Sequence, residues 1–277
     1  MQPISVFFNG KLIPENEALL GINDLSIVRG YGIFDYFKTI NNNPIFLEDN
    51  LDRLYKSAKL MDLTIPYTRE EIASQIYQLI DHNQIPNSGI KILVTGGYSP
   101  DGYSIASSNV VITQHEFSSN TQQEQNGIKL MLFDYHRPFS LVKSIDYVMG
   151  IQALKHAKEN GADDVVYYKD NIISECPRAN FFLITSDNKL LTTKDNVLEG
   201  ITRKKIIEMV QGQYEIVLRD VTVENILDAK EAFITSTTKN ITPITEIINH
   251  KEFGKGAGPI TKKLQLMFGN ILHTGLQ

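Results

Sequence analysis

Apolar and polar residues alternate with two different periods, so strands and helices are mixed along the chain. Short apolar runs separated by Asn-Gly and Asn-rich turns predict one hairpin over ISVFF and LIP and a second hairpin around NNN. Apolar residues at helical spacing predict helices over EDNLDRLYKSAKLM and TREEIASQIYQLIDHN. In the second helix Thr68 and Glu71 stand in the relation of a capping box.

A polar stretch then divides the chain. Residues 115–127, HEFSSNTQQEQNG, lose all periodicity, which is typical of an interdomain linker. We therefore expect a small N-terminal α/β domain over 1–118, a linker over 119–126 and a larger C-terminal domain over 127–277. Strands and helices continue to the end of the chain, so the pattern predicts an α/β (α+β) fold of two domains. A cleft between domains is a usual place for a ligand.

Composition and charge narrow the class of protein. Of the 277 residues, 42% are hydrophobic and 21% are charged, which is ordinary for a globular protein. The net charge of −5 and the scattered basic residues favour neither a nucleic acid nor a membrane as partner. The single cysteine, Cys176, fits a reducing compartment. Because we find no signal peptide and no run of membrane-spanning length, we expect a cytoplasmic protein.

One lysine stands where the pattern predicts core. Lys143 lies in SLVKSIDYVMG, with Val142 and Ile145 on either side of it. Such a lysine most often packs its stem and leaves its ammonium in water. The alternative is a desolvated amine that bonds covalently to a carbonyl compound. The residue alone leaves both interpretations open.

Two further segments contain groups suited to a charged ligand. Glu175 ends the short strand IISE, and it is either a solvated turn carboxylate or a carboxylate that keeps a pyridine nitrogen protonated. Gly200, Ile201 and Thr202 open a helical run, so their backbone N–H groups are suited to an anion. Ordinary capping by Thr202 is the alternative there.

A strand end and a helix supply other groups suited to a phosphate. Ser236, Thr237 and Thr238 follow the strand EAFIT, and such runs either form ordinary turns or complete an anion site. Arg53 lies on the apolar stripe of its helix and suits bidentate phosphate binding, whereas a surface pair with Asp49 is the alternative. An amine, a carboxylate and three sets of phosphate donors together fit pyridoxal 5′-phosphate.

Other cofactors lack their motifs. The chain has no G-x-G-x-x-G after a strand and no G-x-x-x-x-G-K-[ST], so a dinucleotide fold and a P-loop lack their fingerprints. The six histidines show no HExxH spacing, and one cysteine provides no zinc site, so we expect no metal. The absence of G-x-S-x-G argues against a nucleophile-elbow hydrolase.

Six ordered motifs resemble those of one enzyme family. RGYGIFDYFKT, DRLYKSAK, the VKS lysine, ISE followed by ANFF, EGITR and TSTTKNITPI run through almost the whole chain. Together they resemble the fold-type IV pyridoxal-phosphate enzymes, which include branched-chain aminotransferases, D-amino-acid aminotransferases and aminodeoxychorismate lyases. The resemblance implies a two-domain homodimer whose active site lies between the domains.

The resemblance also implies a role for each matched residue. Lys143 matches the lysine that bonds to the cofactor and later moves a proton. Glu175 matches the carboxylate at the pyridine nitrogen, and Arg53 matches the phosphate-binding arginine. The other phosphate donors match Gly200, Ile201, Thr202, Ser236, Thr237 and Thr238.

The substrate side departs from the family pattern. Gly96 stands where D-amino-acid aminotransferases usually place an arginine, and Phe34 replaces their tyrosine. Branched-chain enzymes often have Glu-Gly-x-Gly-x-Asn where this chain has ECPRAN, which brings Arg178 near the cofactor region. Arg29 is our leading candidate for binding the substrate carboxylate, although a surface pair with Asp24 is an equal alternative. The candidate substrate-binding residues are Arg29, Phe34, Lys91 and Arg178.

The resemblance implies a class IV transaminase. We expect it to move an amino group between an α-amino acid (a branched-chain L-amino acid or a D-amino acid) and a 2-oxo acid. The alternative is a 4-amino-4-deoxychorismate lyase that releases pyruvate with the same residues. A cofactor-binding protein without turnover is disfavoured because Lys143 and Glu175 are both present.

Overall fold

The computed structural model describes residues 4–117 and 121–274, which form two compact units. The first unit contains the described residues up to 117 together with Val142–Asp146, and the second contains the others. Residues 119 and 120 of the expected linker lie outside the described residues. The next six residues, Thr121–Asn126, form a short helix although their sequence shows no helical periodicity.

The first unit is built on a six-stranded sheet. Its elements are β1 (Ser5–Phe8), β2 (Lys11–Pro14), a 3₁₀ turn (Glu15–Glu17), α1 (Leu25–Arg29), β3 (Gly32–Ile40), β4 (Asn43–Pro44), α2 (Leu47–Leu60), α3 (Arg69–Asn83), β5 (Ser88–Thr95) and β6 (Val110–Glu116). The strand order is β2-β1-β6-β5-β3-β4, and every pair is antiparallel. Apolar side chains of α2 and α3 pack with those of β3, β5 and β6 in one core.

The predicted turns and caps of this unit are confirmed. Asn9 and Gly10 both have positive φ between β1 and β2, as a two-residue hairpin turn requires. The second hairpin also forms, but β4 is only two residues long because α2 begins at Leu47. The capping box of α3 joins Thr68 and Glu71. These signals are local, so the sequence reveals them directly.

The second unit is built on an eleven-stranded sheet. Its elements are α4 (Thr121–Asn126), β7 (Ile128–Asp134), α5 (Val148–Glu159), β8 (Asp164–Lys169), β9 (Ile172–Ile173), β10 (Glu175–Cys176), β11 (Ala179–Ile184), β12 (Leu190–Thr192), α6 (Ile201–Met209), β13 (Ile216–Leu218), β14 (Val221–Thr222), α7 (Val223–Asp228), β15 (Glu231–Ser236), β16 (Asn240–Ile247), β17 (Lys251–Glu252) and α8 (Pro259–Thr274). Strand β7 pairs in parallel with β8 and β16, whereas β11, β15 and β16 pair antiparallel. The predicted mixture of helices and strands is confirmed.

A row of polar residues crosses three neighbouring strands of this sheet. Glu175 on β10 pairs with Asn180 on β11, which pairs with Thr235 on β15. Directly opposed residues present their side chains on the same face of a sheet. All three side chains are buried, so the row places a carboxylate, an amide and a hydroxyl inside the unit.

Among the residues that the structure describes, no helix combines the length and the apolar character that a bilayer span requires.

Candidate active site

Lys143 is held by main-chain bonds beside β3. The Phe34 N–H donates to the Lys143 carbonyl oxygen at 2.9 Å, and the Ile145 N–H donates to the Gly32 carbonyl oxygen at 3.0 Å. The Lys143 N–H donates to Ser57 Oγ on α2 at 3.3 Å. The short segment Val142–Asp146 therefore belongs to the first unit, although it follows β7 of the second unit in the chain.

The side chain of Lys143 lies against an aromatic ring. Its Nζ is 4.5 Å from the centroid of Phe34, and the residue is half-buried. Lys91, on the neighbouring strand β5, places its Nζ 5.3 Å from the same centroid. An ammonium over a ring face is attracted by the ring quadrupole. The amine of Lys143 is therefore positioned against the face of the Phe34 ring.

Arg53 is buried in an ion pair within the first unit. Its Nε donates to Asp35 Oδ2 at 2.9 Å and its Nη2 donates to Asp35 Oδ1 at 2.7 Å. Arg53 is 9% exposed and Asp35 is fully buried. The alternative of a surface arginine is therefore wrong. A bidentate pair of this kind fixes the plane of the guanidinium.

Glu175 is a buried carboxylate with several donors. Arg137 donates to its Oε1 from Nε at 2.9 Å and from Nη2 at 2.8 Å. The Leu198 N–H donates to Oε2 at 2.9 Å. Glu175 is only 4% exposed, so the alternative of a solvated turn carboxylate is wrong. A cationic partner and a backbone N–H both stabilise the ionised form of a buried carboxylate.

Asn180 connects this carboxylate to the start of α6. Its Nδ2 lies 3.5 Å from Glu175 Oε2 and donates to the Leu198 carbonyl oxygen at 2.8 Å. A Cβ at Gly200 would lie 1.9 Å from Asn180 Oδ1, so this close approach requires glycine. The N-cap of α6 is Gly200, which supplies no side-chain cap. The alternative in which Thr202 caps this helix is therefore wrong, because Thr202 lies inside the first turn of α6.

The predicted hydroxyl run forms the turn between β15 and β16. Ser236 Oγ accepts the Lys239 N–H at 3.2 Å and lies 3.4 Å from Thr238 Oγ1. Ser236 and Thr237 are half-buried, and Thr238 is exposed. The preceding residue, Thr235, is buried and its hydroxyl has no hydrogen-bond partner. Buried polar atoms without partners are rare, so this orphaned hydroxyl marks the neighbourhood as a candidate site.

The other candidate substrate-binding residues are exposed. Arg29 ends α1, and its Nη1 donates to the Val28 carbonyl oxygen at 2.9 Å. Arg178 is exposed at the turn between β10 and β11. Arginine is excluded from position 96, because even a Cβ at Gly96 would lie 2.9 Å from Leu25 atoms.

The proposed pair between Arg29 and Asp24 is wrong. Asp24 is fully buried and caps α1, accepting from Ser26 N–H at 2.8 Å, Thr95 Oγ1 at 2.7 Å and Asn109 Nδ2 at 2.8 Å. Burial alone would raise the pKa of Asp24, but these hydrogen bonds outweigh it and lower the pKa.

Three residues that sequence reasoning missed support the candidate groups. Asp35 is a charge inside the apolar strand FDYF, a signal that could have been noticed. Asn180 lies in the quoted motif ANFF, which is a second signal, whereas Arg137 before Pro138 carries none. Burial also raises the pKa of the Cys176 thiol well above its ordinary value, so this neighbour of Glu175 stays protonated.

The two units thus contain different groups. The first unit contains Lys143, Phe34, Lys91, Arg53 and Arg29. The second brings Glu175 and the start of α6 together through Asn180, and it also contains Arg178 and the hydroxyl turn that follows Thr235. The amine and the bidentate arginine lie in one unit, and the carboxylate lies in the other.

Comparisons with known proteins identify the family. Residues 32–247 match the family described as amino-transferase class IV. D-alanine aminotransferase of Bacillus licheniformis is 28% identical over 97% of this chain and 97% of its own length. The branched-chain aminotransferase structure from Thermoproteus uzoniensis, solved with norvaline, has a TM-score of 0.89 and is 25% identical, covering 99% of this chain and 96% of that one.

A third similar protein was solved with its cofactor. The branched-chain amino acid aminotransferase of Thermobaculum terrenum, in its PLP form, has a TM-score of 0.89 at 23% identity, covering 98% of this chain and 94% of that one. The predicted fold-type IV architecture is confirmed, and the transaminase interpretation is favoured over the lyase. The chain therefore belongs to the class IV aminotransferases, enzymes that use pyridoxal 5′-phosphate to move amino groups between amino acids and 2-oxo acids.

Proposed function

We propose that Lys143 is the residue that bonds to the cofactor and moves the proton in this aminotransferase. The observation that carries this proposal is the placement of its Nζ, 4.5 Å from the centroid of Phe34. Main-chain bonds to Phe34 and Ser57 hold the lysine in place while its side chain reacts. The ring of Phe34 lies against the amine on one side.

The residues of the second unit fit the cofactor's ring nitrogen and phosphate. Glu175 Oε2 accepts one short bond from Leu198, whereas the contact to Asn180 at 3.5 Å is at the limit of a hydrogen bond. A buried carboxylate oxygen bound in this way suits a protonated pyridine nitrogen. The start of α6, which has no side-chain cap at Gly200, suits the phosphate.

Further groups would bind the same phosphate. Arg53 supplies a guanidinium whose plane is fixed by Asp35. Backbone N–H groups at the start of α6 and hydroxyls of the turn after Thr235 supply neutral donors. The phosphate-binding residues are Arg53, Gly200, Ile201, Thr202, Ser236, Thr237 and Thr238.

Each residue then has one chemical task. When bound, the cofactor supplies an electron sink that makes the α-proton of the substrate acidic. The Nζ of Lys143 would take that proton and deliver it to C4′ of the cofactor, on the other side of the substrate nitrogen. Arg137 and the Leu198 N–H hold the carboxylate of Glu175, which would keep a proton on the ring nitrogen.

The substrate is an α-amino acid whose carboxylate needs a cationic partner. Arg29 is our leading candidate for this partner, followed by Lys91 and Arg178. Phe34 would contact the substrate beside them. The relative from Bacillus licheniformis is a D-alanine enzyme, and the similar structures are branched-chain enzymes. We therefore propose a substrate of one of these two classes.

A panel of L- and D-amino acids tests the proposed function. The purified protein, loaded with cofactor, is mixed with each amino acid, and conversion to the pyridoxamine form is followed by absorbance. We expect conversion with D-alanine or with L-leucine, L-valine and L-isoleucine, and reversal by the matching 2-oxo acid. Pyruvate release from aminodeoxychorismate without any such conversion would contradict the proposal.

We also propose that the enzyme is a cytoplasmic homodimer. The single Cys176 supports a reducing compartment. Exposed apolar side chains, Leu19 and Ile22 at 75% and 79% exposure, support burial against a second copy. Light scattering after size exclusion should give twice the mass of one chain, and a mass of one chain would contradict the dimer.

A further inference from the structure

A buried ion pair anchors the hydroxyl turn. Lys239 follows Thr238 directly, and its Nζ donates to Asp164 Oδ2 at 3.0 Å. The side chains of Lys239 and Asp164 are 16% and 3% exposed. Asp164 is the first residue of β8, and its other oxygen accepts the Val165 N–H at 2.9 Å. The pair therefore joins the turn to a strand that is far away in the sequence.

The main chain of Lys239 is fixed as well. Its N–H donates to Ser236 Oγ at 3.2 Å, and its carbonyl oxygen accepts from Thr242 Oγ1 at 2.8 Å. Ser236 and Asn240 form the last pair of the β15–β16 ladder. The segment 237–239 between them is thus restrained at both ends by the strand pair. It is also restrained by the main-chain hydrogen bonds of Lys239 and by the bond of its ammonium to Asp164.

Stability alone is a weak reason for this pair. Removing two charges from water costs about as much as their attraction returns, and apolar replacements are often neutral or stabilising. A buried pair does, however, hold its two segments in one arrangement. The ammonium of Lys239 is committed to Asp164, so it adds no net charge to the turn.

We propose that the Lys239–Asp164 pair is a positioning device for the cofactor phosphate. It holds the turn in the shape in which Ser236, Thr237 and Thr238 direct donors to one anion. This inference rests on the proposed phosphate site, and it assigns Lys239 and Asp164 a role in binding without contact to the cofactor.

The test compares two ligands that differ only in the phosphate. The affinities of the apoprotein for pyridoxal 5′-phosphate and for pyridoxal are measured by absorbance titration for wild type, Lys239→Met and Asp164→Asn. We expect each substitution to lower the ratio of the two affinities by about tenfold, a coupling typical of residues in one network. The double variant should lower the ratio no further than either single variant.

Matched variants separate positioning from general stability. Lys239→Arg keeps the ion pair and should keep the ratio. Lys129→Met removes an ion pair to Glu246, 2.7 Å long and more exposed, in the same unit and should leave the ratio unchanged. Thermal unfolding of every variant identifies any that fail to fold, and Asp164→Asn, which is isosteric, is the least disruptive.

Three results would overturn the inference. An unchanged ratio in folded Lys239→Met and Asp164→Asn would show that the turn needs no anchor. A loss in Lys239→Met together with a gain in Asp164→Asn would show direct contact between Lys239 and the phosphate. Equal losses of affinity for both ligands would show a merely structural role. A wild-type protein that does not distinguish the two ligands would instead refute the proposed phosphate site itself.

Discussion

In the part of the chain that the structure describes, both units contain an arginine bound to a buried carboxylate, and we propose opposite tasks for the two pairs. In the first unit Arg53 is the proposed ligand of the phosphate, and Asp35 holds it by two short bonds. In the second unit Glu175 is the proposed ligand of the ring nitrogen, and Arg137 holds it. The chemistry of each pair is the same, but the member that we propose to contact the cofactor is the cation in one pair and the anion in the other.

The difference teaches how a buried charge is kept ready for a ligand. A lone buried ion is costly, so each functional charge needs a partner of opposite sign before the ligand binds. Asp35 and Arg137 provide that partner. Neither partner needs to touch the cofactor. Asp35 lies within the motif RGYGIFDYFKT, whereas Arg137 lies outside the six family motifs. The four predictions that follow test this division of tasks.

The largest effect is expected at Lys143. Lys143→Ala should lower transamination by about 10³-fold, because the proposed carrier of the α-proton is then missing. Borohydride reduction of the wild-type holoenzyme should fix the cofactor on the peptide that contains Lys143, as mass spectrometry would show. Lys59→Ala is the matched control, since Lys59 is an exposed lysine near the end of α2 in the same unit. Label on the Lys91 peptide would contradict the assignment.

A smaller effect is expected at the carboxylate of the second pair. Glu175→Gln should slow the half-reaction by about 10²-fold, because the ring nitrogen loses its proton, while cofactor affinity changes little. Stopped-flow absorbance measures the half-reaction directly. Glu246→Gln, on β16 of the same unit, is the control. A normal rate of the half-reaction in Glu175→Gln would contradict the proposed role of Glu175 and, with it, the role of Arg137 in holding this carboxylate.

The cation of the first pair should affect binding rather than rate. Arg53→Ala should weaken cofactor affinity by about 2 kcal/mol, roughly thirtyfold, since a partly desolvated charge contact is lost. Arg53→Lys keeps the charge without the planar fork and should lose less. Equilibrium dialysis gives the affinities, and thermal unfolding reports the cost of leaving Asp35 unpaired. An unchanged cofactor affinity in Arg53→Ala would show that Arg53 does not bind the phosphate.

The smallest effect is expected at Arg29. This side chain is exposed, and its Nη1 donates to the neighbouring Val28 carbonyl oxygen. Arg29→Ala should raise the KM for α-amino acids by about fivefold, in line with an exposed charge contact of about 1 kcal/mol. The KM for amines without a carboxylate should stay the same. Arg219→Ala is the control, because its Nη1 also donates to a neighbouring carbonyl oxygen. Equal changes for both substrate types would exclude Arg29 as the carboxylate ligand.

Much of the fold could be predicted from local signals. The Asn9-Gly10 turn and the Thr68–Glu71 capping box are encoded within a few residues, so they are visible in the sequence. The sequence pattern does not predict the two-residue β4 or the helix over Thr121–Asn126. Such short elements form because of tertiary contacts and carry too few residues to show a period.

The candidate groups were also predicted, but their surroundings were not. Lys143, Glu175 and Arg53 stood out because charges in apolar runs are unusual. The structure shows Glu175 and Arg53 as buried and partnered and Lys143 as half-buried beside Phe34, and these surroundings come from residues elsewhere in the chain. The expected cleft between two domains stays a prediction.

The sequence by itself determined which chemical groups this protein has and the order in which its motifs occur. The tertiary structure decided which of those groups are neighbours. Arg53 and Asp35 are 18 residues apart, Arg137 and Glu175 are 38 apart, and Lys239 and Asp164 are 75 apart. Periodicity and capping act over one or two turns, whereas the partner of a buried charge is chosen by the path of the whole chain. That physical difference in range is why the sequence predicts Lys143 as reactive but does not place it beside Phe34.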